Sequence, residues 1–467
     1  MPKTKNMTEG SPFRHLILFS LPLMVGSIFQ EFYTIADTAI VGRSLGVSAL
    51  AALGAVAWPA WLFQGIIQGI TQGFSILVAQ KFGAGKMDEM RKAAANAILL
   101  SAVSAALLFV MSEASIFPFL RLIRMPFKIQ RMGSQYLQIL FSGLPVVVAY
   151  NMLAAILRAL GDSRDPLYAM ILASCVNIGL DILFVVYLDW GVMGAAGATV
   201  LAQLVSVLFC LIRIRTIHVL RFSGSDFYPQ PFIIRRMVVL ALPMAFQNLV
   251  IAAGGIIVQN VVNRYSIPFI AGYTTTTKMY GLLESAAISY GFAMVTYTGQ
   301  NIGKGDWKRV RAGMRASLVI SLMTSCVIST VIFLFGKNLL GLFMDTGTED
   351  GQAALQTGYQ FLKIMAVYLP VLYILHITRS CIQGMGNTVI PMISGVSEFL
   401  MRTASALLLP VLVGETGVLY AEVIAWIGAD LILVPGYFLL SSRERNGETN
   451  MYLCFNCIRR SIRRIWK

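Results

Sequence analysis

Gln80-Lys-Phe-Gly83-Ala-Gly85-Lys86 returns 220 residues later as Gln300-Asn-Ile-Gly303-Lys-Gly305-Asp306. Each copy closes a long apolar run, and three further matches surround the pair in the same order. Leu21-Pro22 corresponds to Leu242-Pro243 and Leu144-Pro145 to Leu369-Pro370, while Arg158-Ala-Leu-Gly161-Asp162-Ser163 with Pro166 corresponds to Gln383-Gly-Met-Gly386-Asn387-Thr388 with Pro391. One such match could arise by chance between apolar helices; four in order, at loop positions, mark an internal duplication. The glycines read as turn residues and not as phosphate loops, since no Walker motif precedes a helix.

The 467 residues are 57% hydrophobic and 13% charged, whereas a soluble chain carries about 25% charged residues. The hydrocarbon core of a bilayer is about 30 Å thick and a helix rises about 1.5 Å per residue, so apolar runs of about twenty residues read as spans. Twelve qualify: 16–40, 50–79, 93–112, 134–157, 167–188, 192–212, 237–262, 268–298, 314–335, 360–381, 391–413 and 417–440. The first carries Glu31 and Asp37 and lacks a small-residue cleavage pattern, so it is not read as a signal peptide. The expected fold is an all-α polytopic membrane protein of twelve transmembrane helices. Six spans per repeat make the repeats parallel, giving two pseudo-symmetric six-helix bundles around an axis normal to the membrane. Residues 1–13 are expected as a cytoplasmic tail, 14–212 as the N-lobe, 213–236 as a polar linker, 237–440 as the C-lobe and 441–467 as a basic tail.

The formal charge of +15 follows that plan. With the amino terminus inside, 27 of the 37 Lys and Arg residues, Arg379 among them, fall in cytoplasmic segments and seven outside, the bias expected of a multi-pass protein of the cell (inner) membrane with both termini cytoplasmic. Four of the seven external ones lie in 117–131, of which 117–128 reads as a short interfacial amphipathic helix. The tail's Arg459-Arg460-Ser-Ile-Arg463-Arg464 suits anionic headgroups better than nucleic acid. The six cysteines imply no disulfide framework, and Cys454-Phe-Asn-Cys457 alone is weak evidence for metal or redox chemistry.

A carboxylate inside a membrane helix costs about 2.5 to 3.5 kcal/mol on insertion scales, so each is a functional candidate. The spans hold seven acids, Glu31, Asp37, Asp181, Glu284, Glu398, Glu422 and Asp430, against three bases, Lys278, Lys363 and Arg402. Asn177 and Asp181 are i and i+4, on one face of span five. At the repeat offset they correspond to Arg402 and Ala406, so no mirror-image cation site is expected in the C-lobe. Glu398 and Arg402, again i and i+4, read as a structural ion pair, the alternative being that Glu398 faces the cleft. Gln30, Glu31 and Tyr33 on span one and Tyr280 and Glu284 on span eight read as cleft lining. His376 reads as a satisfied buried histidine, with a proton relay as the alternative.

The Leu21-Pro22 opening, Phe32-Tyr33-Thr-Ile-Ala-Asp37-Thr-Ala-Ile-Val-Gly42-Arg43, the Ala79-Gln80-x-x-Gly83 close, Arg158-Ala-Leu-Gly161-Asp162 and the 6+6 repeat resemble the multidrug and toxic compound extrusion (MATE) transporters, in their bacterial and archaeal drug-exporter branch. The likeness covers about residues 12 to 440. It implies a secondary active multidrug efflux transporter, working by alternating access, that exports amphipathic, mostly cationic compounds in antiport with H⁺ or Na⁺. It needs no cofactor and is expected to be a monomer. The resemblance places a cation site in the N-lobe at Asp37, Asn177, Asp181 and Thr199 and a bending proline at Pro22. Another branch has a Glu eight residues after the span-seven Pro; here that residue is Ile251. The four N-lobe side chains are an all-oxygen set of hard ligands, suited to Na⁺ and able to take a proton. Two adjacent carboxylates in a low dielectric do not both ionise easily, which would tie occupancy to bending at Pro22. The plainer alternative makes Asp37 and Asp181 polar glue between helices. Two rival functions are a lipid-linked oligosaccharide flippase of related architecture, which would favour a basic cleft, and a membrane-embedded enzyme. An enzyme would need a nucleophile, metal cluster or paired catalytic motif, and no such motif occurs, so none is expected.

Overall fold

The computed structural model describes residues 4–123, 125–343 and 347–445; the distal basic tail and Cys454-x-x-Cys457 lie outside them. The described chain is helical throughout, with no strand. The first bundle contains α1 (Pro12–Leu45), α2 (Val47–Gly83), α3 (Met87–Leu122), α4 (Phe127–Ser142), α5 (Leu144–Ala159), α6 (Arg164–Asp181) and α7 (Gly191–Arg215). The second contains α8 (Pro231–Val262), α9 (Ile267–Lys304), α10 (Trp307–Gly341), α11 (Glu349–Gly384), α12 (Val389–Val413) and α13 (Ala421–Arg445). Ten helices are long and apolar enough to cross a membrane, and α4 with α5, bent by 45°, adds an eleventh crossing. The twelfth is α9, 38 residues long, which falls short in apolarity because it carries Lys278, Glu284 and four threonines at 274–277. The chain is therefore an all-α polytopic membrane protein of two six-span bundles.

The prolines show how a helix survives losing a backbone donor in lipid. Pro145, in the first turn of α5, lies at the α4–α5 bend, where Gly143 sits so close to Val200 that a Cβ would overlap its side chain. The repeat-related Pro370 leaves α11 unbroken. The Ala366 carbonyl that it frees accepts a hydrogen bond from Ser329 Oγ at 2.6 Å. In α8 the Val239 carbonyl, freed by Pro243, accepts from Thr388 Oγ1 at 3.4 Å.

Two expectations are corrected. Residues 117–122 are not a separate interfacial helix but the last turns of α3, held there by Ile116 and Leu120, each only 1% exposed. Arg379 does not lie in a cytoplasmic segment: it is a buried residue of α11 whose guanidinium meets Glu398 inside the C-lobe. Between α7, which runs to Arg215, and α8, which starts at Pro231, the chain makes two short 3-10 turns, His218–Leu220 and Gly224–Phe227.

The repeat is visible in atomic detail. Asp162 Oδ1 accepts from the backbone N–H groups of Arg164 and Asp165 at 2.9 and 3.1 Å. Its counterpart Asn387 Oδ1 accepts from Val389 and Ile390, both at 3.2 Å. Each thereby satisfies free N–H groups where spans five and eleven start. The bundles also exchange their leading ends. Leu16 and Phe19 of α1 share a core with Ile302, Val310 and Met314, whereas Ile233, Met237 and Ala241 of α8 pack into the first bundle.

The duplicated motif that opens the sequence is where the lobes cross. A Cβ on Gly83 would overlap the Gln300 carbonyl, and one on Gly303 would overlap the Gln80 carbonyl. Gln80 Nε2 donates to Gly384 O at 3.2 Å, and Gln300 Nε2 donates to Ala159 O at 2.9 Å. Each lobe thus caps an open helix end of the other. Gly303→Ala is expected to force α2 and α9 apart at a cost of about 1 to 3 kcal/mol, seen as a lower unfolding temperature of the purified protein. Gly281→Ala, at a site with open space, should not lower it.

Candidate functional site

The N-lobe site is assembled by α1, α6 and α7. The i, i+4 spacing on α6 places Asn177 and Asp181 on one face, where they are 1% and 0% exposed. Across from them, Thr199 of α7 gives its hydroxyl proton to Ala195 O at 3.1 Å. Its oxygen accepts from Asn177 Nδ2 at 3.5 Å. That bond leaves the Asn177 amide oxygen free. Asp37 of α1 stands near Asp181, with no hydrogen bond joining the two carboxyls.

Asp37 Oδ1, Asn177 Oδ1 and both carboxylate oxygens of Asp181 are buried without a hydrogen-bond partner. An unsatisfied buried acceptor costs about 1 to 3 kcal/mol, and protein interiors contain few of them. These four, from α1 and from one face of α6, make a cradle of buried oxygen acceptors, and neither aspartate has a basic partner among the described ion pairs. The donor set fits Na⁺ or a proton, since hard oxygen ligands suit hard cations. No group of three or more His, Cys, Asp or Glu fit for a metal occurs among the described residues; the N-lobe cluster combines two acids with Asn177 and Thr199.

Two features around the site were not anticipated. Past Asp181 the helix widens into a π-helical stretch, Ile182–Tyr187, a form that recurs at functional sites; Trp190 then stacks on Phe184 at 4.7 Å. Tyr136 of α4 packs on the small apolar cluster of Val41, Val185, Val192 and Ala195 next to this region, where the fields of both aspartates reach it and Tyr33. Its only signal in the sequence is a phenol inside an apolar run. Of the expected cleft residues, Tyr33 thus belongs to the aspartate pair, Glu31 is half-buried and Gln30 exposed.

The C-lobe answers with a different arrangement. Glu398 accepts from Arg379 at 2.7 Å and from Arg402 at 2.9 Å, and Arg402 reaches Glu422 at 2.7 Å. Arg402 Nη1 also donates to the carbonyl of Ile251 at 3.2 Å. The expected Glu398–Arg402 contact is present, extended into a neutral chain of two bases and two acids. Its guanidinium occupies the repeat-related place of Asn177. Tyr280 stacks on Trp426 at 5.7 Å, and Glu284 meets His376 at 3.4 Å, so these two cleft residues gather beside the C-lobe chain. Asp430 Oδ1 is a further buried acceptor without a partner.

Comparison with known proteins bears on the fold and the family. A Bacillus subtilis protein bearing a multidrug-resistance name, YpnP, is 27% identical over 423 residues, covering 89% of this chain and 92% of its own length. NorM of Thermotoga maritima, also named for multidrug resistance, is 26% identical over 393 residues, covering 81% of this chain and 82% of its own. The crystal structure of a MATE in complex with MaL6 superposes with a TM-score of 0.88 at 22% identity, over 94% of this chain and 99% of that one. The sequence model of the MatE family matches residues 22–183 and again 243–408, one match in each lobe. With the duplicated fold, these matches establish that the chain belongs to the MatE family of transporters.

Proposed function

We propose that this protein is a secondary active multidrug exporter. A cation, H⁺ or Na⁺, held by Asp37, Asn177, Asp181 and Thr199 drives amphipathic cationic compounds outward by alternating access of lobes 14–212 and 237–440. The observation that carries the reading is the cradle of four buried, partnerless oxygens. Polar residues that merely join helices hydrogen-bond across them, and none of these four oxygens has such a partner. The multidrug-resistance names of the relatives support the class of cargo. Occupancy by a cation neutralises the acids and favours the arrangement of α1 that brings Asp37 to Asp181, with Pro22 as the hinge. The protein is placed in the cell membrane as a monomer, both termini cytoplasmic, with its basic tail on anionic lipid.

The charge of the cleft favours cationic cargo over a pyrophosphate-linked lipid. Arg379 and Arg402 are both locked in ion pairs, whereas Glu31 and Asp430 have no basic partner among the described ion pairs. The test is dye export from proteoliposomes under an imposed pH gradient or an imposed Na⁺ gradient. One of the two gradients should drive a cationic dye uphill while an anionic dye stays behind. Export that ignored both gradients would sink the proposal.

A further inference from the structure

The segment ahead of α1 is not a loose end. Met7 is completely buried and shares a core with Leu16, Phe19, Ile302 and Val310. Its N–H donates to Gln300 Oε1 at 2.8 Å. Its carbonyl accepts from Arg309 Nη2 at 3.0 Å and from Asn301 Nδ2 at 3.4 Å. Arg309 Nη1 holds Gly10 O at 3.0 Å, and Lys304 Nζ reaches Thr8 Oγ1 at 3.2 Å. All of these hydrogen-bond partners are in the second bundle. Lys5, two residues earlier, donates its N–H to Leu160 O of the first bundle at 3.0 Å, packed so closely that a Cβ on Gly161 would overlap the Lys5 carbonyl.

The duplication shows what is unusual here. The two crossing glutamines are equivalent, and each donates to a helix end of the opposite lobe. The remaining amide oxygen of Gln80 accepts from Arg236 Nη2 at 3.1 Å, a residue of α8 itself. The equivalent oxygen of Gln300 accepts from Met7. One of two symmetric tethers is therefore completed by a bundle helix, and the other by a segment outside both bundles, which can leave without unfolding a span.

We propose that residues 5–10 are a releasable strap that holds the lobes together at the end of the molecule where the chain starts, and that its release precedes their separation there. This rests on the alternating-access reading, because only a protein whose lobes part at that end needs a strap to come off. A strap seated by one buried methionine and a handful of hydrogen bonds is weak enough to open within a transport cycle and strong enough to bias the closed state. Its strength would set how often the closed end opens.

Hydrogen exchange of the purified protein in lipid nanodiscs tests this without cargo or gradient. Met7→Ala is expected to speed exchange at the helix ends 79–85 and 299–305 by about tenfold or more, as expected for a buried methionine truncated to alanine. Met7→Leu should leave it near the parent rate. Arg309→Gln, which opens no cavity, should speed the same two segments if Met7→Ala fails to fold. The external ends of α12 and α13 serve as the control and should not change. Parent-like exchange at both helix ends in every variant, including one lacking residues 4–10, would overturn the strap. Loosened helix ends in a protein that exports no dye would keep the strap and remove the transporter reading, whereas normal export with unloosened ends would remove the strap alone.

Discussion

Asp181→Asn should reduce gradient-driven dye export by about a hundredfold, the upper range of a coupling free energy of 1 to 3 kcal/mol, while the protein still folds and binds dye. The substitution keeps the volume of a fully buried side chain and removes its charge, so packing is preserved. It also introduces an amide donor that can satisfy an orphaned acceptor next to it, such as Asp37 Oδ1. The cradle would then be content without a cation. Asp37→Asn should behave alike, and the double variant should be little worse than either single one, because the two carboxyls act as a unit. Thr199→Ala is expected to be milder, since the hydroxyl orients Asn177 and supplies one neutral ligand. Export is measured in proteoliposomes at matched protein content. Retained uphill export in Asp181→Asn would assign the aspartates to structure.

The second large effect is on stability. Arg402→Leu should destabilise the protein by about 3 to 5 kcal/mol, the cost of leaving a buried charge without its partner. Two acids lose that guanidinium at once, Glu398 at 2.9 Å and Glu422 at 2.7 Å, and so does the Ile251 carbonyl. Adding Glu422→Gln should restore part of the loss, because Glu398 keeps Arg379 at 2.7 Å. Thermal unfolding in detergent, followed as loss of monodisperse protein, reads both variants. If Arg402→Leu unfolded at the parent temperature, the ion-pair chain would contribute nothing to holding the C-lobe together.

What was legible in the sequence was whatever helix geometry or the duplication fixes locally. The i, i+4 rule put Asn177 beside Asp181 and Glu398 beside Arg402, and the repeat offset set Arg402 against Asn177. The contacts made by groups from distant helices were not legible. Arg379 looked like a cytoplasmic charge because it lies near a span end, yet α11 extends past it and turns it onto Glu398. In the sequence Glu422 is one intramembrane acid among seven; its pairing with Arg402, twenty residues away, is made only by the packing of α13 on α12. The packing of Tyr136 on Val185 and Val192 is made between distant segments, and the π-helical turn after Asp181 has no composition signal at all. Met7 lies in a short polar stretch that resembles a free terminus, and only tertiary contacts reveal its burial.

The central claim is that the N-lobe quartet carries the coupling ion, and reversed exchange tests it most directly. Liposomes containing the protein are given a cationic dye gradient and no ion gradient, with internal pH and internal Na⁺ recorded together. Coupling is reciprocal, so dye flow through the parent should drive either protons or Na⁺ in the opposite direction, and the Asp181→Asn protein should drive neither while still binding dye. Counterflow of the same ion at the parent rate through Asp181→Asn would contradict the account and place the coupling site outside the N-lobe quartet.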